Sequence, residues 1–266
     1  MPHNILKKVW DYCTYSYYFL AFIFVLLFIS SLIQNYVQAY GDSTVLTILN
    51  ILVLISVSGY GMSITKSRIN HGIRLPKIVI KDIIVMGIKS SIIGIIFVLV
   101  QGFIIGYLFS LVNIPIFDLE DMLINWFDTI RMLYYNEPMN TLLFVSVGST
   151  VFYVFSFFTE MALAILADTG SLLSALNLKK IKRSIDVIGW KNYAVDLTLI
   201  IFAIVILSHL ISIEIPFTFI DTLIDMFLSF LIFATQYLGI GAIYCDIKDL
   251  ESEKEKQASS ENANSI

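Results

Sequence analysis

Charge is scarce along this chain. Asp, Glu, Lys and Arg make up only 14% of its 266 residues, 58% are hydrophobic, and the mean hydropathy is +0.82. Soluble chains average about 25% charged and about 45–50% apolar residues, which excludes a water-soluble globule and places the chain among integral membrane proteins. Proline is sparse too. Pro2, Pro76, Pro115, Pro138 and Pro216 all fall outside the long apolar runs or at their ends. Lipid cannot satisfy the backbone groups that a proline frees, so uninterrupted runs predict continuous helices. The two cysteines, Cys13 and Cys245, stand near opposite ends of the chain, with no CxxC and no Cys/His cluster at metal-ligand spacing. A disulfide framework and a structural metal are therefore not expected. A net charge of −4 and a pI near 5.3 lack the basic field that nucleic acid requires.

Catalytic signatures are missing as well. There is no HExxH, no Gly-x-Ser-Gly and no Gly-x-Gly-Asp: Gly239-Ile240-Gly241 is followed by Ala242. The histidines His3, His71 and His209 are scattered, and Gly87-Ile88-Lys89-Ser90 lacks the preceding glycine of a phosphate-binding loop. The expectation is a protein that is not an enzyme and that needs no cofactor.

What is present is a set of apolar runs long enough to cross a bilayer, which needs roughly 20 residues in a helix. They fall at about 17–38, 45–64, 90–112, 141–167, 193–213 and 221–245. The predicted fold is all-α, a polytopic transmembrane helix bundle of six spans. Residues 1–245 form one membrane domain and 246–266 a polar tail, a frayed helix that gives way to disorder. Lys7 and Lys8 before the first run suggest a signal anchor retained as the first helix.

With the N-terminus inside, every Lys and Arg except Arg131 falls on the cytoplasmic side of this arrangement. The positive-inside rule then places both termini in the cytoplasm of a multi-pass protein of the cell membrane. The opposite face collects Asp42, Asp118, Glu120, Asp121, Asp128, Glu137 and Glu214.

Two connecting segments are patterned. Between residues 114 and 140, Leu119, Met122, Leu123, Trp126, Ile130 and Leu133 recur at helical spacing, which predicts an amphipathic helix on the outer surface. On the inner side, Leu178, Ile181, Ile185 and Ile188 form an apolar stripe flanked by Lys179, Lys180, Lys182 and Arg183. Such a basic amphipathic helix lies on an anionic leaflet or docks on a partner. Ile80-Lys81-Asp82 leading to Gly87-Ile88-Lys89 also parallels Ile181-Lys182-Arg183 leading to Gly189-Trp190-Lys191, a weak internal repeat. Gly102 and Gly106 have the spacing of a helix-packing face.

Gly59-Tyr60, Leu75-Pro76 and Gly87-Ile88-Lys89 entering an apolar run, with Trp10-Asp11-Tyr12 ahead of the first span, resemble a prokaryotic, largely archaeal, membrane-protein family, domain of unknown function 4013. Leu166-Ala167-Asp168 and Ser174-Ala175-Leu176 are similar to more distant membrane domains, including those attached to some glycerophosphodiester phosphodiesterases. The resemblance implies a helical membrane architecture and brings no catalytic residues with it.

Ionisable residues within the apolar runs are the candidate sites, because a charge at mid-membrane costs about 2.5–3.5 kcal/mol. Glu160 is the deepest, Asp196 and Lys89 lie nearer the inner boundary, and Lys89 is placed to pair with either carboxylate. Such groups either fasten helices or serve a proton or cation. Gln101, His209 and Gln236 read as interhelical hydrogen-bonding positions. The leading expectation is a non-enzymatic accessory or membrane-organising module. Its expected partners are membrane lipid or a protein partner, contacted through Lys179, Lys180, Lys182 and Arg183, or further copies of the chain in a homo-oligomer. A small solute or ion transporter using Glu160, Asp196 and Lys89 is the alternative.

Overall fold

A computed structural model describes residues 17–40, 44–72, 76–111, 138–211 and 218–264. Among them all regular secondary structure is α-helix. The helices are α1 (Tyr17–Tyr40), α2 (Thr44–Ile69), α3 (Ile80–Leu111), α4 (Pro138–Thr169), α5 (Leu172–Ala175), α6 (Leu178–Ile188), α7 (Trp190–Ile211) and α8 (Thr218–Asn264). Five of these, α2, α3, α4, α7 and α8, are long and apolar enough to cross a membrane. They overlie the second to sixth predicted runs, and α1 is a helix of 24 residues over the first. The predicted surface helix between residues 114 and 140 lies almost wholly outside the described residues.

Helix ends depart from the predicted runs where hydropathy stops but helix propensity does not. The basic lead-in of the third run is already helical from Ile80. Pro138 occupies the first position of α4, where its missing N–H costs nothing. The tail differs most: α8 does not end near Cys245 but continues to Asn264, 47 residues in all. No glycine or proline follows Gly241 in the sequence, so the helix meets no stop signal past Cys245.

The chain divides into two compact units, Met1–Ile93 with Glu160–Ile266, and Gly94–Thr159. Helices α3 and α4 contribute residues to both. In the first unit, Ile23 of α1, Tyr60 and Ile64 of α2, Ile83 of α3 and Phe230, Phe233, Ala234 and Leu238 of α8 form a buried core. The Phe24 and Phe230 rings stack at 5.4 Å beside it. Lipid tails are as apolar as leucine, so burial alone does not drive such helices together; close approach and hydrogen bonds do.

Glycines provide that approach. A Cβ at Gly59 would collide with the Ile83 carbonyl oxygen, and one at Gly87 with the Ile55 carbonyl oxygen, so α2 and α3 cross backbone to backbone. Gly239 accepts the Ile200 side chain of α7, while Gly241 lies against Thr65 and Arg68 of α2. Thr65 Oγ1 also donates to the Tyr237 carbonyl at 2.9 Å, and the Ser58 and Ser90 hydroxyls join α2 to α3 at 2.7 Å. The Gly-x-Gly of α8 is thus a packing device that seats the helix between α2 and α7.

The second unit packs Phe97 against Phe155 edge to face at 6.5 Å. Among the described residues, no atom of another helix comes within 4 Å of where a Cβ would stand on Gly102 or Gly106, so none of them packs on the predicted face. The predicted repeat has no structural counterpart either. Gly87 lies inside α3, whereas Gly189, at φ 87°, separates α6 from α7.

Candidate functional site

The intramembrane polar residues engage different partners. Glu160, on α4, accepts a hydrogen bond at Oε1 from Gln236 Nε2 of α8, 3.1 Å away. Its Oε2 is buried and has no hydrogen-bond partner among the described residues. Beside it is a cavity of about 10 Å³ lined by Met161 and Ala164 of α4, Tyr193 and Leu197 of α7, and Ile240, Ile243 and Tyr244 of α8. That is about the space of one water molecule. A half-satisfied carboxyl in such surroundings is costly to keep, which distinguishes Glu160 from the other polar positions.

Lys89 pairs with neither carboxylate. Its Nζ donates to the Gly170 carbonyl oxygen at 2.6 Å. The reason lies in how α4 ends: Gly170 takes φ 67°, its N–H donates to the Leu166 carbonyl at 2.7 Å, and the chain turns away. The carbonyls of a final helical turn lack partners and carry the negative end of the helix dipole, so an ammonium from α3 satisfies both demands. Asp168, two residues earlier, receives Lys248 Nζ of α8 at 2.8 Å. Asp196, on α7, is half-buried and makes no hydrogen bond or ion pair with the described residues. The three candidates therefore do not form a single cluster. Of the other polar positions, Gln236 does bridge helices, while His209 Nδ1 lies 3.2 Å from the Val205 carbonyl of its own helix.

The basic helix is present as α6. Asn177 caps it, its side chain accepting from Lys179 N at 3.0 Å and Lys180 N at 3.3 Å. Its apolar stripe does not lie on a leaflet. Ile181 and Ile185 are fully buried within the chain and Ile188 is half-buried, which leaves Leu178 as the exposed member. The stripe is covered because α6 packs on α7 and α8. What α6 offers outward is charge: Lys179, Lys182 and Arg183 are exposed. Lys179, Lys180, Arg183 and Ser184 of α6, with Tyr244 and Glu251 of the neighbouring α8, line a cleft of about 420 Å³. A second cleft of about 470 Å³ gathers Ser63, Lys66 and Ser67 of α2 and Asn70 just past its end with Lys77, Asp82 and Met86.

Two associations were not visible in the sequence. One is Asp168 with Lys248; the other joins His71, just past α2, to Cys245 and Asp249 on α8. The expectation of no Cys/His cluster rested on linear spacing, and this one spans 174 residues. The sequence signal for it was short: Cys245 and Asp249 stand one helical turn apart.

An all-helical chain with five helices apolar enough to cross a bilayer, and polar groups tying those helices together, has the form of a membrane protein. The family model described as "Protein of unknown function (DUF4013)" matches residues 43–217, more than half of the chain, and the chain belongs to that family. The matched segment includes Gly59, Tyr60, Pro76, Gly87 and Lys89. Tyr60 hydroxyl donates to the Pro76 carbonyl at 3.2 Å, so the residues that carry the resemblance also hold α2 and α3 together. No curated protein and no solved structure matches the chain.

Proposed function

We propose that this protein is a non-catalytic module of the cell membrane that holds anionic lipid headgroups at its cytoplasmic face. In this reading α1 is the sixth span beside the five apolar helices, residues 1–245 form one membrane domain, and both termini are cytoplasmic. The observation that carries it is the cleft beneath α6, where Lys179, Lys180 and Arg183 converge on about 420 Å³ with their own apolar stripe already buried. Each Lys or Arg near an anionic surface contributes about 1 kcal/mol. The charge partition supports the same side for the tail and for α6.

A ligand that binds only the folded protein raises its unfolding temperature. In nanodiscs, replacing zwitterionic with anionic phospholipid should therefore stabilise the wild type. Replacing Lys179, Lys180, Lys182 and Arg183 with Gln should remove most of that gain. Equal gains in both proteins would refute the assignment.

The unpartnered Oε2 of Glu160 favours a second reading, movement of a proton or small cation past α4, α7 and α8. Gln preserves the shape of the side chain and its link to Gln236 but carries no ionisable group. Proteoliposomes loaded with a pH-sensitive dye should then show an internal pH change that Glu160→Gln abolishes. Identical traces from the two proteins would leave Glu160 as a helix fastener only.

A further inference from the structure

At the end of α2, His71 adopts φ 57°, the left-handed conformation that glycine and asparagine take most readily at helix ends. Its N–H donates to the Arg68 carbonyl at 3.1 Å, and Gly72 N donates to the Ser67 carbonyl at 2.8 Å, which fixes the turn. This turn delivers the imidazole to α8. There His71 Nδ1 lies 3.4 Å and Nε2 4.0 Å from the Cys245 sulfur, and Nε2 lies 3.2 Å from Asp249 Oδ1. One ligand atom from each residue falls within 4.8 Å of the others. Cys245 is buried, while the His71 and Asp249 side chains are 67% and 51% exposed.

We propose that His71, Cys245 and Asp249 form a binding site for a divalent transition-metal ion of the zinc class. Sulfur, imidazole nitrogen and carboxylate oxygen are the donors that zinc takes, at about 2.3, 2.0–2.1 and 2.0–2.2 Å. Around a tetrahedral ion those lengths put neighbouring ligand atoms about 3.2–3.6 Å apart. The Nε2 to Oδ1 separation already matches; the sulfur lies nearer Nδ1 than Nε2, so the exposed imidazole turns to present Nε2 to both partners when the ion binds. A thiolate and a carboxylate together carry two negative charges, which a divalent ion neutralises; hard magnesium or calcium would not use the sulfur. The exposed imidazole and carboxylate open the site to water, and three protein ligands leave a fourth position for water or an exchangeable group. Bound metal would clamp the end of α2 to α8, a contact distinct from the α6 cleft.

The test titrates the full chain, purified in detergent and stripped with a chelator, with Co²⁺ as a spectroscopic stand-in for zinc. The site predicts one equivalent bound, a thiolate-to-cobalt charge-transfer band, visible absorption of tetrahedral intensity and displacement by Zn²⁺. Cys245→Ser should abolish the charge-transfer band; Asp249→Asn should weaken binding by about tenfold or more. Because Cys245 is buried, His71→Asn is the companion variant. Asparagine tolerates the left-handed backbone, and the side chain it replaces is largely in water, so the protein folds while Co²⁺ affinity falls about tenfold or more. A wild type that binds no Co²⁺, a charge-transfer band that survives in Cys245→Ser, or unchanged affinity in folded His71→Asn would overturn the proposal.

Discussion

At the scale of single residues, the positions that hold this protein together are small or polar. Gly59 and Gly87 let two helices meet at their backbones, and neither neighbouring carbonyl oxygen can rotate away from an added methyl group. Gly87→Ala should therefore lower stability by about 1–3 kcal/mol, measured by thermal unfolding in detergent, whereas Gly94→Ala, where no described atom is near, should be neutral or mildly stabilising. Equal effects at the two positions would contradict the crossing. The sequence marked Lys89 and Glu160 as unusual in apolar surroundings, because a charge stands out there, while Gly59 and Gly87 entered through the family resemblance. It did not reveal their partners. Lys89 reaches a backbone carbonyl 81 residues away and Glu160 an amide 76 residues away. A carbonyl has no signature in sequence, so electrostatic complementarity alone pointed Lys89 at a carboxylate.

At the scale of elements, hydropathy located the apolar helices well and their ends poorly. The runs end where residues become polar, but α3 is already helical from Ile80, before its run begins, and α8 continues past Cys245 to Asn264. Helix α6 shows the complementary limit. Its amphipathic pattern was plain, yet pattern does not say whether an apolar stripe faces lipid or protein, and here Ile181 and Ile185 face α7 and α8. Because the stripe is docked, the helix depends on its start. Removing the Asn177 cap should cost about 0.5–2 kcal/mol. Hydrogen exchange at Lys179 to Lys182 should then accelerate in Asn177→Ala while α7 stays protected. Unchanged exchange across α6 would mean that docking alone maintains it.

At the scale of the whole molecule, the composition pointed to a membrane before any element was placed, and five helices are long and apolar enough to cross one. The cleft was only partly legible: Lys179, Lys180 and Arg183 stand together in the sequence, but Tyr244 and Glu251, which complete it, come from α8, and no contiguous motif joins them. The account's central claim is that this cleft retains anionic lipid. Native mass spectrometry of the protein released gently from its own membrane tests it most directly. The prediction is a wild type that keeps one or more anionic phospholipids, and a variant with Gln at Lys179, Lys180, Lys182 and Arg183 that loses them. A wild type free of lipid, lipid retained equally by both proteins, or a stoichiometric second protein held through the same four residues would contradict it.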